Sequence, residues 1–244
     1  MIDTIYRLTY SSNFLIHLGK TFRISLIFIL SLTFLQCDTT NSPPVENEPS
    51  LFSDNFDGEN LSTNWHWSNE PDEWDFGITQ QGWLSITGNF NSNLWCLDET
   101  STLYQIVKDD IDFDISTRMS CEWGNNLSDI AGIIIKFPSV DNWINIKLWM
   151  QGNGTGRLEF QKKCDDLLSP VPEYGASGSS EDVFLRIVRK SNEYTGYYKT
   201  SSEHAWIIIG TTEGFGSLPI HIGLFGGVDQ GEGDLSIRFD YFHK

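Results

Sequence analysis

Basic residues, cysteines, helical periodicity and long apolar runs are all scarce in this chain, and each shortage removes a class of function. The 244 residues carry 16 Lys and Arg against 33 Asp and Glu, a net charge of −17 at pH 7. Such a surface repels nucleic-acid phosphates and anionic headgroups, so no nucleic acid is expected as a partner of the folded part. Only Cys37, Cys96, Cys121 and Cys164 are present, with no CxxC and no HExxH spacing, which argues against a zinc centre. No GxSxG stands in the chain, and His66, His204, His221 and His243 have no nucleophile signature beside them. The longest apolar stretch, Ile24 to Leu35, is too short to span a bilayer as a helix.

That stretch has another use. Lys20 and Arg23 precede it, which gives it the form of a signal-peptide core. Phe34-Leu35-Gln36-Cys37 follows, and then a polar, proline-containing tract to Ser50. The arrangement resembles a bacterial lipoprotein signal, which implies that Cys37 becomes the lipidated first residue. Residues 1–36 are then a signal peptide, 37–50 a flexible tether, and 51–244 the functional domain. The expected location is the bacterial cell envelope, with membrane contact through the lipid anchor alone, on the periplasmic or the outer surface.

Residues 51–244 read as one acidic, all-β domain, with 13 basic against 32 acidic residues beyond position 36. Strands are predicted over 51–56, 74–79, 82–87, 92–97, 101–107, 112–122, 130–137, 142–151, 155–163, 182–190, 193–200, 205–210, 219–226 and 235–242. Glycine- and serine-rich clusters separate them. One of these, Gly152 to Gly156, has the composition of a phosphate-cradling loop, but it lies between two strands with no following helix and reads as a hairpin turn. The 9 Trp, 8 Tyr and 16 Phe suit two antiparallel sheets sharing a flat core. With Cys37 set aside, three cysteines permit one disulfide and one free thiol, the pairing being open. Cys121 continues the alternation Ile115, Thr117, Met119 and is expected to be buried.

Ala131 to Met150 is the most informative stretch. Its second strand sends Ile144, Ile146 and Leu148 to one side and Trp143, Asn145, Lys147 and Trp149 to the other. The first set suits a core. The second is a row of flat rings and hydrogen-bonding groups, the chemistry that grips a sugar. Around Ile220 to Gly226 the same alternation leaves His221 and Phe225 opposite the core. A glycan or polysaccharide is therefore the expected partner, and these six residues the expected binding set.

A longer pattern runs through the domain. Phe52-Ser53-Asp54-Asn55-Phe56-Asp57-Gly58, Trp65-His66-Trp67, Trp74 and Gly82-Trp83-Leu84-Ser85-Ile86 come first. Ala131-Gly132-Ile133-Ile134-Ile135 and Asp141-Asn142-Trp143-Ile144-Asn145-Ile146 follow. Leu185-Arg186-Ile187-Val188-Arg189, Tyr194-Thr195-Gly196-Tyr197-Tyr198, Ile222-Gly223-Leu224-Phe225 and Phe239-Asp240-Tyr241-Phe242 complete it. This series resembles the concanavalin A-like domains of the DUF1349 type and the C-terminal domain of family 43 β-xylosidases. The resemblance implies a two-sheet antiparallel β-sandwich, a jelly roll with a concave face, and sugar recognition rather than a fixed reaction.

Two further chemistries are expected as alternatives. Asp110, Asp112 and Asp114 alternate, so on a strand they share a face, as the paired carboxylates of a retaining glycosidase must. A structural Ca²⁺ is the possible cofactor. Its ligands would come from Asp54, Asp57 and Asp240, with Asp229, Glu232 and Asp234 nearby in sequence, if the first and last strands meet. A third reading makes the aromatic face a protein-binding or adhesion surface.

Overall fold

The computed structural model describes residues 51–88, 100–122, 128–139, 142–151, 156–162, 166–171, 181–230 and 235–244. All of them belong to one compact unit, Asn47–Lys244. Among the described residues the regular structure is entirely β. In chain order the strands are β1 (His66–Ser68), β2 (Glu73–Phe76), β3 (Leu84–Gly88), β4 (Ser101–Ile106), β5 (Phe113–Glu122), β6 (Ser128–Lys136) and β7 (Trp143–Gln151). The rest are β8 (Gly156–Lys162), β9 (Asp166–Val171), β10 (Glu181–Lys190), β11 (Glu193–Lys199), β12 (Ile207–Glu213), β13 (His221–Gln230) and β14 (Leu235–Phe239).

They pair into two sheets. The first runs β1-β4-β13-β6-β7-β8-β9 and the second β12-β11-β10-β5-β14-β3-β2, every pairing antiparallel. Period-two burial is what brings the sheets face to face. On β7, Ile144, Ile146 and Leu148 turn inward, and on β5 Phe113, Ile115, Thr117, Met119 and Cys121 do the same. Ile133, Ile135, Phe160, Leu185, Ile187, Ile237 and Phe239 complete the shared core. The sheets come close enough at one point to require a glycine: a Cβ on Gly196 would lie 2.6 Å from the Phe160 ring. The expected all-β sandwich is therefore the observed one.

Three segments differ from expectation. Residues 51–56 form no ladder. A single bridge joins Asp54 to Phe242, with N–H···O distances of 2.8 and 2.7 Å, and Phe56 leaves it in the left-handed region at φ 54°. β1 is only three residues long and gives no alternation to read. β9 contains Pro170, which argues against a central strand, but β9 lies at the sheet edge, where proline is tolerated. The predicted strand 92–97 falls outside the described residues.

Candidate functional site

The outward face of the first sheet is built in rows across the strands. The central row is His66, Tyr104, Gly223, Ile134, Asn145 and Gln161, and beside it run Ser68, Thr102, Phe225, Gly132, Lys147 and Glu159. Ile106, His221, Lys136 and Trp143 flank them on one side; Gly227, Ile130, Trp149 and Arg157 flank them on the other. All six residues expected to bind sugar thus share one face.

Openness was expected of that face, and here the structure corrects the reading. Trp143, Asn145, Lys147 and Phe225 are 3%, 0%, 5% and 0% exposed, and only Trp149 and His221 are half-buried. The cause is a second, smaller apolar cluster of Ile130, Ile134, Trp143 and Phe225, against which Trp149 packs. Alternation gave the direction of these side chains; it said nothing about cover.

Within this closed face the polar groups are tightly tied. Lys147 Nζ donates to Gln161 Oε1 at 2.5 Å and lies 3.1 Å from a Glu159 carboxylate oxygen. Arg157 Nε stands 2.5 Å from the other Glu159 oxygen, out of line for a hydrogen bond, and its guanidinium lies 3.8 Å from the Trp149 ring centre. Trp149 Nε1 donates to Ser128 Oγ at 2.5 Å. Asn145 has no tie of either kind. Neither its Nδ2 nor its Oδ1 has a hydrogen-bond partner, although the residue is fully buried. At the β1 side, three rings follow one another: Tyr104 and His221 lie 4.0 Å apart between centroids, and His66 and Tyr104 lie 5.7 Å apart.

Sequence reasoning missed Tyr104, His66, Arg157, Glu159 and Gln161 as members of this face. The last three were readable, because on β8 they alternate with Leu158 and Phe160 as cleanly as the β7 row does. Tyr104 and His66 needed the strand order.

Asp110, Asp112 and Asp114 do not gather into one carboxylate site. β5 begins at Phe113, so only Asp114 lies in the ladder. Asp110 accepts from Arg189 at 2.6 Å, Asp112 accepts the Ser191 backbone N–H at 2.6 Å, and Asp114 is held bidentately by Arg186. Each carboxylate is taken up by a different partner from β10 or the turn after it. The seam between chain ends does form, but its carboxylates are occupied. Asp54 accepts the Trp65 indole N–H at 2.9 Å and the Phe56 N–H at 2.8 Å, while Asp240 pairs with Arg118 at 3.3 Å. Asp57 is exposed, and among the described residues no group of three His, Cys, Asp or Glu is gathered for a metal ion. Glu232, Asp234 and the Asp229 side chain fall outside the described part, as do Cys37, Cys96 and Cys164. Cys121 is a free, buried thiol, and burial pushes its pKa well up, with Asp129 adding to the rise and Arg238 opposing it.

Residues 53–243 match the family described as the β-xylosidase C-terminal concanavalin A-like domain. The chain belongs to that family. Among solved structures, a mutant of the GH43 protein BlXynB from Bacillus licheniformis superposes with a TM-score of 0.63 at 18% identity, covering 82% of this chain and 40% of that one. The xylan β-1,4-xylosidase of Bacillus halodurans gives 0.60 at 18% identity, with coverage of 84% and 40%. Xyloglucan PUL GH43B from Bacteroides ovatus gives 0.59 at 17% identity, with coverage of 78% and 38%. This β-xylosidase C-terminal-type domain thus spans about two fifths of the length of these structural relatives. A search of curated proteins returns no match.

Proposed function

We propose that this chain is a glycan-binding domain without hydrolytic activity, exported in a bacterium and held at a membrane by acyl chains on Cys37. The binding surface is the outward face of the first sheet, with Trp143, Asn145, Lys147, Trp149, His221 and Phe225 as its members. The observation that carries the reading is the Asn145 amide. A buried amide with no partner costs about 1–3 kcal/mol, so such a group is kept only where something pays that cost back. Asn145 is 0% exposed, so the small outward cluster has to part before two adjacent sugar hydroxyls can do so, one accepting from Nδ2 and the other donating to Oδ1. Trp149 and His221, half-buried at opposite flanks, are where a ligand enters, and the indoles supply the ring faces on which sugar C–H groups stack.

Membership of a family named for β-xylosidases supports a glycan as the ligand class. The acidic surface disfavours nucleic acid, and membrane contact runs through the lipid anchor alone. Tethering raises the local concentration of a weakly binding domain at its surface. The test is a glycan array with the full-length protein, followed by titration of each hit. Asn145→Ala and Trp149→Ala should each weaken a saturable hit by about tenfold or more. Silence across the array from a folded protein, or a hit that both variants retain unchanged, would sink the proposal.

A further inference from the structure

A different groove lies on the outward face of the second sheet, and none of its residues belongs to the face described above. It is a shallow, open groove of about 430 Å³ lined by Asp114, Ser116, Arg186, Trp206, His243 and Lys244. We propose that this groove is a second, independent binding site for a short neutral sugar, which would give the domain two glycan contacts on opposite sheets.

The groove has a fixed floor and a prearranged wall. The Ser116 and His243 backbones bridge β5 to the chain end, with both N–H···O distances 2.9 Å. Arg186 pairs across the sheet with Ser116 on β5 and Tyr197 on β11. Its guanidinium lies 5.1 Å from the Tyr197 ring centre and 5.6 Å from that of Trp206. Lys199 stands 5.0 Å from the same indole and donates to the Ser202 carbonyl at 2.9 Å. His243 is stacked on Tyr241 at 4.0 Å, with its Nε2 2.7 Å from Asn55 Oδ1. A half-buried indole held in this way loses little conformational freedom on binding, which is how a small ligand is held by few contacts.

Charge chooses the ligand class. Arg186 Nε and one terminal nitrogen donate to the two Asp114 oxygens at 2.6 and 2.5 Å, so the guanidinium is neutralised where it stands. The hydrogen bond that Arg186 donates to Asp114 is the largest cause raising the pKa of Arg186. The Asp114 side chain is nevertheless 50% exposed, and each carboxylate oxygen has a second lone pair for an incoming hydroxyl. An anion meets a carboxylate here and a net charge of −17 behind it, whereas a cation meets Arg186 and Lys244. A neutral polyol offers both donors and acceptors and pays no such charge penalty. The volume suits one or two sugar rings rather than a long strand.

The experiment uses full-length protein labelled with fluorotryptophan and titrated with xylohexaose and with a xyloglucan oligosaccharide, followed by fluorine NMR. Trp206→Phe identifies the Trp206 resonance by its disappearance. The expected result is a saturable shift of that resonance in the unsubstituted protein. Asp114→Asn should weaken the shift by about tenfold, and Asn145→Ala should leave it unchanged. A Trp206 resonance that stays still at saturating sugar overturns this site and shows that the cation–aromatic contacts are structural only. If other indole resonances then shift and Asn145→Ala abolishes them, the first face stands alone. If Trp206 shifts and Asn145→Ala alters no binding, the second site stands and the first reading falls.

Discussion

Replacing Lys147 with methionine removes the buried ammonium that Glu159 and Gln161 share on the first face. The Lys147 and Glu159 side chains are only 6% and 4% exposed, and they stand 3.1 Å apart. Methionine keeps most of the aliphatic stem, so little packing is lost and the change falls on electrostatics. Glu159 then retains only Arg157, which is 32% exposed and out of line for a hydrogen bond. Breaking a buried pair costs about 3–5 kcal/mol, and the remaining Arg157 puts the expectation at the lower end, about 3 kcal/mol. In urea, with a slope of about 2–3 kcal/mol per molar for a domain of this size, the midpoint should fall by about 1–1.5 M. Adding Glu159→Gln should restore part of the loss, with a coupling of about 2 kcal/mol between the two sites. A midpoint within about 0.3 M of the parent, or effects that simply add, would refute this account of the pair.

Other consequences can be tested beside it. A Cβ on Gly132 would sit 2.0 Å from the Ile146 carbonyl oxygen and 2.8 Å from Lys147 Cα, both backbone atoms of the next strand. Gly132→Ala should therefore lose about 3 kcal/mol or more, and a thermal midpoint equal to the parent's would show that the strands can part. The Cys121 thiol should resist alkylation in the folded protein and react once urea unfolds it; rapid native labelling would contradict its burial. Burial also raises the pKa values of Cys121, Tyr194 and Tyr241, so each ionises more readily in the unfolded chain. Their contribution is intact below the unfolded-state values and fades as pH rises, so stability should decline from about pH 9 upward. A flat urea midpoint across that range would count against it.

The sandwich was legible because burial on one face writes a period of two into every long strand. β5, β6, β7 and β10 were all expected close to their observed bounds for that reason, since each supplies several inward residues to the core; β13 runs four residues beyond the expected 219–226. What was not legible were segments whose placement depends on partners far away in the chain. β1 has three residues and no pattern of its own; it exists because His66, Trp67 and Ser68 pair with Tyr104, Leu103 and Thr102. The expected first strand failed the other way, being apolar enough for a strand but offered only one bridge, at Asp54.

The candidate site divides along the same line. Parity placed Trp143, Asn145, Lys147 and Trp149 on one side of β7, and the antiparallel registers then put His221 and Phe225 on that same face, so the group was readable. Exposure was not, because it depends on neighbouring side chains: Ile130 and Ile134 sit on the outward side of β6, where a free surface would carry polar groups, and they turn the aromatic row into a second small core. The two outward isoleucines were in the sequence, and a run in which both faces are apolar is the mark of a strand covered on both sides. The same logic exposes the error over the carboxylates. Alternation in Asp110, Asp112 and Asp114 mattered only if all three lay in the strand, and Arg186, Arg189 and the Ser191 N–H, contributed by β10 and its following turn, each bind one of them instead. An acidic triplet beside a strand rich in arginine is therefore better read as a set of cross-strand pairs. On this surface Asp114 keeps its side chain half in solvent next to an indole, and so retains the means to hold a ligand.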